Sequence, residues 1–72
     1  MKKGEFNEGE QVRIKFMHEG QVRLGDWGYV VEYKDRYTIA ILVTHNHLGE
    51  QMTKYREESP LDLIKTGEKY KP

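Results

Sequence analysis

The sequence predicts an all-β domain of five short strands closing into a small barrel, and three observations carry that reading. Stretches of alternating or β-branched residues recur at strand length, as in residues 11–16, 29–33 and 37–44. Glycine- and Asn-marked breaks separate them, and no helix of useful length, repeat or low-complexity tract interrupts the pattern. Closure then removes the sheet edges that would otherwise invite aggregation.

The elements follow in order. Asn7-Glu8-Gly9-Glu10 is a turn signal. In Gln11-Val12-Arg13-Ile14-Lys15-Phe16, apolar and polar residues alternate strictly, so Val12, Ile14 and Phe16 face the core while Arg13 and Lys15 face solvent. Residues 17–26 carry Gly20, Gly25 and only scattered apolar residues; they read as a long loop, or as an irregular hairpin that reuses Val22 and Leu24. Gly25-Asp26-Trp27-Gly28 leads into Tyr29-Val30-Val31-Glu32-Tyr33, a second strand by its β-branched and aromatic content. Lys34-Asp35-Arg36 is a break of hairpin length. Residues 37–44 form the most hydrophobic strand, and their continuous apolar run predicts burial on both faces. After the turn 45–50, residues 51–56 make a fourth strand with Thr53 and Tyr55 on one face. Glu57-Glu58-Ser59-Pro60 stops it, since proline cannot donate in a ladder. Leu61-Asp62-Leu63-Ile64 fits a short helical turn into a last strand.

Seventy-two residues make one domain, read as a disordered stretch 1–5, a barrel 6–64 and a flexible polar tail 65–72. A chain this short supports a shallow groove or a shared oligomer site rather than a deep private active site. Twelve basic and twelve acidic residues give zero formal charge, so a nucleic-acid role requires a local basic face. The absence of cysteine excludes disulfides, thiolate metal sites and a cysteine nucleophile. The N-terminus turns acidic where a signal peptide turns apolar, and the longest apolar run, residues 39–43, is far short of a membrane span. The expectation is a soluble, cytoplasmic protein.

The stretches Asn7-Glu8-Gly9-Glu10-Gln11-Val12-Arg13-Ile14 and Gly25-Asp26-Trp27-Gly28-Tyr29-Val30-Val31 resemble the opening of small bacterial and phage SH3-like barrels, the KOW and Tudor-like groups among them. Residues 53–64 resemble their ending, an aromatic strand followed by a short turn and an aliphatic pair. The resemblance implies the SH3-like outline and, as biological setting, a small bacterial or phage accessory protein. A second, distant resemblance is to the type II dihydrofolate reductases, SH3-like tetramers around a shared pore, at Gly9-Glu10-Gln11-Val12-Arg13 and Gly28-Tyr29-Val30-Val31. Their pore strand reads Val-Gln-Ile-Tyr; in Gln51-Met52-Thr53-Lys54-Tyr55 only Tyr55 lines up, so the folate and nicotinamide site is not carried over.

Several constellations invite chemistry. His45 and His47, with Glu50 nearby and His18 upstream, form a His-x-His pair suited in type to zinc or copper. No third ligand is fixed by the spacing, and solvated turn histidines account for the pair, so no metal or cofactor is expected. Arg13 and Lys15 share one face of the first strand, and Lys54 and Arg56 share one face of the fourth. Beside Tyr29, Tyr33 or Tyr55 they would track a single-stranded nucleic acid by charge and stacking, if both strands present the same side. Pairing with Glu10, Glu32 and Glu57 on a solvated face is the competing account.

Trp27 stands at the mouth of the second strand, where loop-edge aromatics of SH3-like folds often form the partner groove; capping the barrel end is the other role for it. Tyr37, Ile39, Ile41 and Val43 form a core stripe, while Ala40 and Leu42 on the opposite face call for a homodimer or a folded-over loop. The only serine, Ser59, abuts Pro60, and no glycine motif has Walker spacing, so no enzyme is expected. An oligomeric enzyme with a shared pore is the weakest reading. The leading expectation is a non-catalytic module binding a protein partner, or itself, through Trp27, Tyr29, Tyr33 and Tyr55. The alternative is a KOW-like nucleic-acid binder using Arg13, Lys15, Lys54 and Arg56.

Overall fold

The structure is a computed structural model and describes residues 6–67. Five strands, β1 (Gln11–His18), β2 (Gln21–Asp35), β3 (Thr38–His45), β4 (Gln51–Glu58) and β5 (Leu63–Lys65), form one antiparallel sheet. Their order is β4-β3-β2-β1-β5, and a 3-10 turn at Pro60–Asp62 precedes the last strand. The all-β architecture and the short turn before β5 agree with the sequence reading. The expected closure is not reached by backbone pairing, because β4 and β5 end the sheet and do not bond to each other. The stretches 1–5 and 68–72, read above as disordered and flexible, lie outside the described residues. Among the described ones, Thr66 N–H still donates to the Gln11 carbonyl at 3.1 Å.

One long strand organises the sheet. The first part of β2 pairs with β1, from His18↔Gln21 to Gln11↔Tyr29, and its second part pairs with β3, from Trp27↔His45 to Asp35↔Thr38. Register shifts between Arg13 and Lys15 and between Val30 and Glu32 mark bulges, which add twist and bend the strand. Gly28 of β2 pairs with Val12 of β1 on one side and Val43 of β3 on the other. A Cβ there would run into the Leu42 carbonyl and lie 3.0 Å from Val43 Cα, so only glycine allows β3 this close.

The long loop expected over residues 17–26 is instead a continuation of the β1–β2 hairpin, the second of the two readings. Its turn is Glu19-Gly20, with φ of 52° and 77°. Two consecutive positive φ values belong to the two-residue turn whose twist matches that of the flanking strands. Asn46 shapes the β3–β4 connection in a similarly local way. Its Oδ1 accepts the N–H groups of Leu48 and Glu50, each at 2.9 Å, and its Nδ2 donates to Glu50 Oε1 at 2.8 Å.

The core comprises Phe6, Val12, Ile14, Val30, Ile39, Ile41, Val43 and Leu63, with Met52 packed against it. The central strand is buried on both faces as its composition predicts, with Ile39, Ala40, Ile41 and Val43 all at 0% exposure. Ala40, flanked in register by Glu32 and Glu57, is thus covered within a single chain, without a second copy or a folded loop. Leu42 remains half-buried.

Two expected core residues lie outside. Phe16 is 46% exposed, because β5 covers β1 only at Val12–Ile14 and the hairpin arm runs on beyond it. Its ring approaches Gly25 instead. Tyr37 is 72% exposed, since it precedes β3 in a turn where its N–H donates to Asp35 Oδ1 at 2.8 Å.

Candidate functional site

Pleating and register decide which side chains share a face. Val12, Gly28, Val30, Ile41 and Val43 are buried on the core side. Their neighbours point outward, and the register lines up Gln11↔Tyr29, Tyr29↔Leu42 and Leu42↔Tyr55 as one row across β1, β2, β3 and β4. The next row holds Arg13↔Trp27, with His45 opposite Trp27 across β3. The sheet therefore gathers Trp27, Tyr29 and Tyr55 onto one outer face together with Leu42.

Trp27 and Arg13 form the most specific contact there. The guanidinium carbon lies 4.2 Å from the centroid of the indole ring, a cation–π stack. Arg13 Nη2 and Nε also donate to the Gly25 carbonyl, at 2.9 and 3.3 Å, which pins the arginine over the bulge of β2. Tyr29 and Leu42 are half-buried beside this pair, and Tyr55 is 51% exposed at the β4 end of the row. The face is a shallow band, apolar in the middle, with a fixed cation at one end.

Tyr33 does not join it. The bulge between Val30 and Glu32 resets the alternation, so Tyr33 pairs with Ile39 on the core side. Its hydroxyl accepts the Phe6 N–H at 3.1 Å and ties the segment before β1 to β2. Leu42, Gln11 and the Arg13 stack were not singled out for this surface by sequence. Leu42 carried a signal in its place opposite the Ile39 stripe, but the register that sets it beside Tyr29 and Tyr55 is not local information.

The basic residues separate into two groups. Arg13 and Lys15 project outward from β1, whereas Lys54 and Arg56 pair with Val43 and Ile41 and so lie on the core side of β4. Arg56 is held between carboxylates, 2.7 Å from Glu58 and 3.6 Å from Asp26. The Asp26 contact ties β4 to the far part of β2 across an open groove of about 430 Å³, which Phe16 and His47 also line. Glu10, expected to pair within the strand faces, bonds to Lys65 at 3.5 Å.

The histidines are placed apart. His45 ends β3, half-buried, with Nδ1 3.1 Å from Thr44 Oγ1, while His47 is exposed in the following turn. Among the described residues, no three His, Cys, Asp or Glu side chains converge in a metal-holding group. No helix of the described residues is long and apolar enough to cross a membrane. No family model, curated protein or solved structure matches the chain.

Proposed function

We propose that the protein is a non-catalytic interaction module of SH3-like outline, which binds a protein partner through its outer sheet face. The observation that carries this reading is the assembly of Trp27, Tyr29, Leu42 and Tyr55 in two adjacent cross-strand rows, with Arg13 stacked on the indole. Tryptophan, tyrosine and arginine are the residue types that dominate protein-binding hot spots, and rigid strands present them at low entropic cost. The strand order, the doubled role of β2 and the 3-10 turn before β5 support the SH3-like outline.

The distribution of charge favours a protein partner over a nucleic acid. A phosphate backbone needs several cations on one track, and here Arg13 and Lys15 face away from Lys54 and Arg56. Arg13 is engaged by Trp27 and Gly25, and Arg56 by Glu58 and Asp26.

Affinity capture with the full chain and its Trp27→Ala variant tests the reading. A genuine partner loses about 2 kcal/mol of binding or more with the variant, roughly a thirtyfold weakening. An equal yield of the same partner with Trp27→Ala contradicts it. So does an oligonucleotide complex that weakens steeply with salt and shifts the amides of Arg13, Lys15, Lys54 and Arg56.

A further inference from the structure

The β1–β2 hairpin arm and the 3-10 turn carry an apolar surface remote from the core. Past the last β5 pairing at Ile14, Lys15↔Leu24 and Met17↔Val22 share one face of the arm. Leu61 of the 3-10 turn stands next to them, and a groove of about 200 Å³ is lined by Lys15, Phe16, Met17, Val22, Leu61 and Asp62. Leu61 is 84% exposed and Met17 65%, and Val22 and Leu24 are also open to solvent.

Leu61, Met17, Val22 and Leu24 thus form a contiguous exposed apolar patch, the kind of feature that marks an interaction site on a small monomer. A specific interface buries roughly 1,000 Å² or more over both partners, and a two-fold contact counts the patch and its polar rim on each copy. Charge points to the same occupant. Lys15 on the strand wall and Asp62 on the turn wall flank the apolar centre, and neither is ion-paired with any described residue. A two-fold contact is isologous, so a Lys15–Asp62 pair across it forms twice. Zero formal net charge leaves no global repulsion between copies.

The geometry points to a homodimer formed through this hairpin-and-turn surface, with Met17, Val22 and Leu61 at its centre and reciprocal Lys15–Asp62 pairs at its rim. The surface begins one row past Arg13–Trp27 on the same side of β1 and runs to the hairpin tip, so the two-fold contact is centred away from Trp27 and leaves the row of Tyr29, Leu42 and Tyr55 open on each copy.

Sedimentation of the full chain tests the proposal. The mass rises with concentration from 8.6 kDa toward twice that value. Met17→Glu and Leu61→Glu stay monomeric with an unchanged circular dichroism spectrum, both positions being exposed. Lys15→Glu alone and Asp62→Lys alone weaken dimerisation at least tenfold. An equimolar mixture of these two variants recovers it, since opposite charges then meet at both rims. Trp27→Ala dimerises like the parent. A monomeric mass up to the solubility limit overturns the proposal, as does a dimer that survives Leu61→Glu. Failure of the mixture to recover, or a dimer lost only in Trp27→Ala, overturns it equally, the last by moving the contact to the outer face.

Discussion

Gly28 and Arg13 show how much of this molecule depends on single side chains. At Gly28 a methyl group meets backbone on β3, the Leu42 carbonyl and the Val43 Cα, which cannot swing aside as a flexible side chain would. Gly28→Ala is expected to cost about 1–3 kcal/mol or more by overpacking, against a total of roughly 4–11 kcal/mol for a chain of this length. A urea midpoint unchanged by the substitution would contradict the close approach of β2 and β3. Arg13 covers the indole of the only tryptophan. Arg13→Ala should shift tryptophan emission to longer wavelength and lower stability by about 0.5–1 kcal/mol, the scale of an accessible cation–π contact. Arg13→Lys should restore part of the stability only, because an ammonium cannot stack flat on the ring and bond the Gly25 carbonyl through two nitrogens. An emission spectrum identical in all three proteins would remove the stack from the account.

At the scale of elements, the turns set the register. Glu19 holds a positive φ of 52°, where Asn is better tolerated than Glu. Glu19→Asn is therefore expected to stabilise the protein by about 0.5 kcal/mol, raising the melting temperature by a few degrees. A lower melting temperature would mean that the turn is of another type. Asn46→Ala removes three side-chain hydrogen bonds from the β3–β4 turn and should cost about 1–2 kcal/mol, with faster amide exchange at Leu48 and Glu50. Unchanged exchange there would show that the side chain does not hold the turn. These turns also explain what was legible in the sequence. The strict alternation of residues 11–16 and the apolar run 39–43 placed β1 and β3 correctly, because both patterns are local. Glu-Gly is a weaker hairpin signal than Asn-Gly, so the arm over residues 17–26 stayed ambiguous between loop and hairpin. The bulge at Val30–Glu32, invisible in composition, moved Tyr33 off the face where uninterrupted alternation from Tyr29 would put it.

For the whole molecule, the sheet has two faces of unequal character and one projecting arm. The core face is filled by Val12, Ile14, Val30, Ile41 and Val43, and outside it the described residues gather two exposed apolar groupings, the Trp27–Tyr29–Leu42–Tyr55 band and the Met17–Val22–Leu61 patch. Three of the four aromatic residues picked out by type and position share the band, because β3 lies between β2 and β4 and its register sets Tyr29, Leu42 and Tyr55 in one row. The four basic residues do not share a face, because the parity of β4 relative to β1 is set by pairings through β2 and β3 that no local pattern encodes. The central claim is that the outer band is where a protein partner binds. It is tested most directly by placing a photo-crosslinking phenylalanine derivative at Tyr55, inside the band, and at Tyr37, more accessible but outside it, in the protein's source cells. The account predicts a discrete protein adduct from position 55 that disappears in the Trp27→Ala background, and none from position 37. Adducts of equal yield at both positions, or crosslinking from position 55 to nucleic acid alone, would contradict it.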